Sequence, residues 1–396
     1  QTLFTSAVSF IAPDLYEKCK HFSYGDVLMT LTGENKPDIA KAVAYLGTEP
    51  IAASGDLAFW TQHGMNPLFL SYIMASPYII ARKVALATGD IIVHISGDKL
   101  GTILLPVPPL AEQERIVACI QEAELVIENY AIKATALQKL QDSFPEALKK
   151  SILQEAVQGK LVPQDPSDEP AEALLERIRA EKQRLIKEGK IKKNKHESVI
   201  FRRDNSHYEK LDGMERCIDD ELPFEIPESW AWVRWGAIAE SIQYGYNAPA
   251  KQEGRIRMVR ISDIHENTVA WSSVPFCDID DSDIPTYLLQ ANDILFARTG
   301  GTVGKSFLVS EVPCESIYAG YLIRTRYSSL LCPQYLKYFM ESPLYWQQLK
   351  SGTTATAQPN CNGQTLAKML LPLPPANEQL RIVDNLARTF TIIEKM

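Results

Sequence analysis

Two stretches of this sequence carry side chains suited to phosphates and to the flat polar edges of heterocycles. Tyr244, Tyr246, Asn247 and Lys251 crowd one short segment, and Arg255, Arg257 and Arg260 follow it. Arg298, Thr299 and Lys305 flank a glycine-rich turn, Thr299-Gly300-Gly301-Thr302-Val303-Gly304. An arginine fork matches guanine edges and phosphates, a lysine meets phosphates as a point charge, and an asparagine pairs with adenine. These residues therefore suit contact with nucleic acid. The competing reading makes 298–304 a structural turn and the arginines solvated surface groups. Residue types alone leave both open.

Signals for catalysis are weak. The glycine-rich turn misses a phosphate-binding loop, which needs Gly where Thr299 stands and a helix next, whereas Phe307-Leu308-Val309 reads as a strand. A self-sufficient DNA methyltransferase would need an Asn/Asp-Pro-Pro-aromatic motif. The nearest fragment, Asn66-Pro67-Leu68-Phe69, lacks the second proline. The six histidines show no metal-ligand spacing, and His196 and His207 lie in a charged stretch. Asp278, Asp280, Asp281 and Asp283 lack the glycine and ligand spacing of a calcium loop, so a solvated loop is expected. Cys19, Cys119, Cys217, Cys277, Cys314, Cys332 and Cys361 are scattered without a CxxC pair, which suits a reducing cytoplasm better than a disulfide framework. No catalytic residue, metal or cofactor is expected. No apolar run reaches the ~18 residues of a membrane span, and no signal peptide is visible.

These segments sit within a chain that repeats itself. Residues 104–117 read LLPVPPLAEQERIV and residues 370–383 read LLPLPPANEQLRIV, identical at ten of fourteen positions with an offset of 266. At the same offset Met74-Ala75-Ser76-Pro77 matches Met340-Glu341-Ser342-Pro343, and Gly97-Asp98-Lys99-Leu100 matches Gly363-Gln364-Thr365-Leu366. Gly25-Asp26-Val27-Leu28 matches Asn292-Asp293-Ile294-Leu295 with a slip of one. Collinear matches of this kind indicate tandem duplication. In the first copy Thr30, Thr32, Glu34, Asn35 and Lys36 occupy the turn that corresponds to 298–305, with no arginine at the equivalent place. Asn35 and Lys36 are its candidate nucleic-acid contacts. Only 25 residues precede Asp26, and the second copy stops at Met396 inside a helical pattern, so the chain reads as a piece of a longer protein.

Each copy is expected to be a mixed unit followed by a helix. Segments 232–238, 257–261, 293–297 and 306–309 have strand character, while 333–341 and 343–350 start on proline as short helices do. The Leu-Pro-x-Pro-Pro run makes a stiff exit. After Pro109 a 4-3 apolar spacing runs through Ile116, Ile120, Ala123, Ile127, Tyr130, Ala134, Leu137, Phe144 and Leu148, interrupted only by Gln141. That is a coiled-coil seam, repeated as Ile382, Leu386, Thr389, Ile393 and Met396. Ser143-Phe144-Pro145-Glu146 predicts a kink or restart. At ~1.5 Å per residue the stretch 111–144 makes a rod of roughly 50 Å. A further helix over 171–188 leads into a polar, basic linker over 189–216. Between Arg177 and Arg203 eleven Lys or Arg face three Glu, against a net charge of −8 for the chain. The overall charge opposes simple charge-driven nucleic-acid binding but not a local basic face.

The chain resembles the specificity subunits of type I restriction–modification systems. The residues that carry the likeness are the repeated Pro-rich block with its Glu-Gln and Arg-Ile, the seam after it, and 151–161 (SILQEAVQGKL). Others are 222–232 (LPFEIPESWAW), 244–251 (YGYNAPAK) and 293–300 (DILFARTG). The resemblance implies an α+β fold with two mixed α/β target-recognition domains in tandem, each followed by a long coiled-coil helix, the helices pairing antiparallel. It divides the chain into a first recognition domain at 1–109, a central helix at 110–162, a linker at 163–216, a second domain at 217–375 and the start of a second helix at 376–396. It implies a non-catalytic protein that binds double-stranded DNA at a bipartite site and docks two methyltransferase subunits, with a restriction subunit as a further partner. A rod of this size suits half-sites one ~34 Å turn apart. The rival from another class is a coiled-coil scaffold that binds protein only.

Overall fold

The computed structural model describes residues 2–53, 55–193, 197–265, 267–352 and 361–395. The chain divides into two compact units, Gln1–Lys139 and Leu140–Met396. Met396 of the second seam and His196 fall outside the described residues.

The first unit is built on a four-stranded sheet in the order Leu3–Phe4, Ala42–Tyr45, Val27–Thr30, Leu57–Trp60. Val27–Thr30 runs antiparallel to both of its neighbours. Helices Pro67–Met74 and Pro77–Leu86 pack on one face, where Val27, Met29, Ala44, Leu70 and Ile79 make the core. Helix Leu110–Val157 follows, with 110–139 counted in this unit and the rest in the second. The helix continues through Pro145 without an assigned break, so no restart occurs where one is expected.

The second unit repeats that core with more around it. Ile294–Ala297 is flanked by antiparallel Ser306–Leu308 and Leu322–Tyr327, and Ala239–Tyr244 extends the sheet. A second sheet joins Phe276–Cys277, Ile256–Val259 and Ser316–Tyr318. Helices Pro333–Phe339, Pro343–Gly352 and Gly363–Lys368 match Pro67–Met74, Pro77–Leu86 and Gly97–Gly101 of the first unit. Trp232, Trp235, Phe296, Tyr335, Phe339 and Tyr345 fill the core.

The repeated residues do the same work in both copies. Gln113 Oε1 accepts the Asn66 N–H at 2.9 Å while its Nε2 donates to the Pro108 carbonyl at 2.8 Å. Gln379 Oε1 accepts the Cys332 N–H at 2.9 Å while its Nε2 donates to the Pro374 carbonyl at 3.0 Å. Both glutamines are buried. Each satisfies a backbone donor at the start of a short helix and fixes the proline run that leads into the long one. Asp26 and Asp293 each accept the N–H three residues upstream, at 2.8 and 2.9 Å.

Three local expectations change. The span 232–238 is not one strand: Ala231–Arg234 is a strand and Trp235–Ile238 a helical turn. The second Leu-Pro run is itself a strand, Leu370–Leu373, antiparallel to Ala231–Arg234 in a two-stranded sheet whose edge position tolerates Pro372. Most of the expected linker is a three-stranded meander, Ser198–Arg203, Ser206–Leu211 and Met214–Cys217. Its turns place Asp204, Asn205, Asp212 and Gly213 at positive φ, as tight hairpins require. Buried Glu209 ties the meander to the unit, accepting from Arg234 at 2.9 and 3.0 Å and from Arg216 at 2.6 Å. Burial alone would raise this carboxyl, but the donors outweigh it and hold the pKa at about 2.

Candidate nucleic-acid interface

The glycine-rich turn is positioned by the sheet beneath it. Arg298 follows directly on Ile294–Ala297, the central strand, and its N–H donates to the Tyr321 carbonyl at 3.2 Å. The Arg298 carbonyl accepts from the Cys361 N–H at 2.9 Å. The backbone is therefore fixed on both sides. The Arg298 guanidinium lies over the Tyr244 ring, 4.7 Å from its centre. Tyr244 Oη accepts the Gly363 N–H at 3.0 Å, which holds the ring in place. Among the described residues the Arg298 side chain has no hydrogen-bond acceptor, and its Nε is buried without one. A guanidinium held flat by stacking, with its donors unspent, is preset for an anionic or polar acceptor.

Thr299 is half-buried and Lys305 is exposed at the far end of the turn, with the helical turn Gly300–Thr302 between them. Strand Ser306–Leu308 comes next, so the local structure is not that of a nucleotide-binding loop. Tyr246 and exposed Asn247 lie beside the turn that carries Tyr321, where the Tyr246 carbonyl accepts the Gly320 N–H at 2.8 Å. The Tyr246 ring meets Tyr287 edge-on at 5.2 Å. Burial, then Asp283 and Asp280, raise its hydroxyl above the usual range.

The other expected cations are engaged. Lys251 is paired with Asp278, and Arg255 with Asp281 at 2.7 Å. Arg257 donates to the Trp271 and Val274 carbonyls at 2.8 and 2.9 Å and stacks on Phe276, so it is engaged within the fold. Arg260 is bound to Asp263. The acidic run is therefore not simply solvated. In the first unit Asn35 Oδ1 accepts the Asp38 N–H at 3.0 Å, a local turn, and Lys36 pairs with Asp90 at 3.1 Å.

Tyr321 was not singled out by sequence. It is 64% exposed in the turn that links Ser316–Tyr318 of one sheet to Leu322–Tyr327 of the other, beside Arg298. A large aromatic at a Gly-containing turn between strands is the signal that could have found it. The thiol of Cys361 is buried and pushed up to about 11, which disfavours a thiolate at neutral pH. Among the described residues no His, Cys, Asp and Glu cluster could hold a metal ion. Among the described residues no helix is long and apolar enough to cross a membrane.

The two seams have different surroundings. Ile382, Leu386 and Ile393 are buried in the second unit. There Glu378 is buried too, accepting from Trp230 Nε1 at 2.9 Å and Gln164 Nε2 at 2.6 Å, and Arg381 pairs with Asp168 at 2.5 Å. Lys149, on the last part of the long helix, pairs with Glu394 at 3.1 Å. Ile116 and Ile120 are half-buried, and Ile116 packs on the first unit's core. Ile127, Tyr130 and Leu137 are 65%, 73% and 56% exposed.

Comparison with known proteins fits this geometry. Residues 227–395 match the type I restriction modification DNA specificity domain. The type I restriction enzyme EcoAI specificity subunit of Escherichia coli is 31% identical over 70% of this chain and 45% of its own length. The EcoEI specificity subunit, also from Escherichia coli, is 30% identical over 70% of this chain and 46% of its own length. Over residues 227–395 the chain carries a type I restriction modification DNA specificity domain. The chain spans about half the length of these two relatives. A crystal structure of the HsdS subunit from Thermoanaerobacter tengcongensis aligns with 94% of this chain and 76% of that one, at 17% identity and a TM-score of 0.45. The chain itself is α+β with two units. The specificity-domain match covers the Arg298 turn, the Tyr244 loop and the last helix.

Proposed function

We propose that this chain reads DNA sequence for a type I restriction–modification complex. Each recognition unit takes one half of a bipartite duplex target, and the chain supplies no catalytic group itself. It works in the cytoplasm, where two methyltransferase subunits dock on it and a restriction subunit joins the assembly. The observation that carries this reading is Arg298, held flat on Tyr244 with no acceptor for its side chain among the described residues, on a unit that occurs twice. Such a group meets a phosphate or a guanine edge without first breaking a contact. The exposed stripe of Ile127, Tyr130 and Leu137 supports docking of a partner helix, since an apolar seam of this kind is stable only when covered.

Selection from a randomised duplex library, with and without a co-expressed methyltransferase subunit, tests the reading. Enrichment at one or two fixed positions, sharpened by the partner, supports it. A folded chain that enriches nothing in either condition leaves the protein-only scaffold, which the same exposed stripe would serve.

A further inference from the structure

Two cations expected to face DNA are already neutralised, and the backbone builds the arrangement. Lys251 N–H donates to the Phe276 carbonyl at 2.8 Å, and Phe276 N–H returns to Lys251 at 3.0 Å. Arg255 N–H donates to the Cys277 carbonyl at 3.0 Å. Between them a Cβ on Gly254 would fall 2.9 Å from that carbonyl oxygen, so glycine lets the two strands close this far. Arg257 stacks on Phe276 at 4.8 Å and pins the same strand. The acidic segment after Cys277 is thus carried to the cations by a backbone ladder. Lys251 meets Asp278 and Arg255 meets Asp281, with Asp280 and Asp283 exposed alongside.

We propose that Asp278 and Asp281 are specificity-determining residues that occupy Lys251 and Arg255 in place of DNA phosphates and suppress sequence-independent binding. The proposal rests on the reading of this chain as a DNA-recognition protein. Sequence-independent binding depends on phosphate charge sensed by a loosely seated duplex. Such a duplex meets two neutralised cations and two further carboxylates, and is repelled. A duplex seated closely by base contacts brings phosphates to contact distance. There it exchanges with exposed carboxylates, whose ion pairs are weak and easily broken. The carboxylates therefore penalise the wrong sequence more than the right one.

The test compares the full chain with a variant carrying Asp278→Asn and Asp281→Asn, on a random-sequence duplex and on the duplex enriched by library selection. Affinity for the random duplex should rise between about twofold and thirtyfold, the span set by two exposed ion pairs. Its salt dependence should steepen by up to about two units of log–log slope. The enriched duplex should gain less, so the specificity ratio falls. An unchanged ratio, or weaker binding to both duplexes, overturns the proposal. The reciprocal variant, Lys251→Gln with Arg255→Gln, should lower random-duplex affinity, and a rise would overturn it equally. If the unaltered chain enriches no sequence at all, the DNA-recognition reading itself fails, which these ratios cannot be mistaken for.

Discussion

Arg298 and Arg257 show how differently one residue type can be spent. Arg257 ends on two backbone carbonyls and an aromatic ring, whereas Arg298 has the ring but, among the described residues, no acceptor. Replacing Arg298 with Ala should weaken duplex binding by ~1–3 kcal/mol, measured by fluorescence anisotropy, with the melting temperature nearly unchanged. No loss of affinity would return Arg298 to the role of a turn residue. Glu209 makes a different prediction, about pH. Its carboxyl sits at about 2 when folded, against 4.5 for an unperturbed one. A depressed folded value stabilises the fold above pH 4.5, and that contribution fades as pH falls from 4.5 toward 2. Its size is on the order of 3 kcal/mol. Glu209→Gln should flatten this part of the acid-unfolding curve, and an unaltered curve would remove the Arg216–Glu209–Arg234 cluster from the account. The sequence exposed the candidate cations but not their partners. Asp278 and Asp281 lie 27 and 26 residues from Lys251 and Arg255, a separation that only the second sheet brings together.

The long helix separates stability from association. Replacing Ile127 and Tyr130 with Asp should leave the chain folded, because both side chains are already in solvent, and should abolish binding of the methyltransferase subunit. Unchanged assembly by size-exclusion chromatography would take the seam out of the docking surface. The seam was legible because its 4-3 spacing survives in sequence, and so were the short helices that begin on Pro333 and Pro343. The central strands were legible as apolar runs before a glycine-rich turn. The meander was not: Arg202, Arg203, Lys210 and Arg216 swamp the alternation of Val199, Phe201 and Tyr208, so it reads as a charged linker. The turn Trp235–Ile238 misled in the opposite sense, its aromatic and β-branched residues having been drawn into the core from a helical backbone.

Over the whole chain, duplication and divergence divide the labour. The strand core, the capped helices and the glutamine bridges are common to both units, while the turn that carries Arg298 in one carries Thr30, Asn35 and Lys36 in the other. Library selection should therefore return two unlike half-sites, and Arg298→Ala should erase preference at one while sparing the other. Equal erosion of both would mean that the two turns do not read separate segments. The glutamine bridge has a genetic corollary. Gln113 and Gln379 form the same two hydrogen bonds to backbone atoms alone, and backbone has no memory of sequence. Crossover between the two repeats within this block would leave the same fixed joint whichever way the strands were exchanged. A lineage carrying such a gene could exchange its globular units while leaving the connector between unit and helix intact.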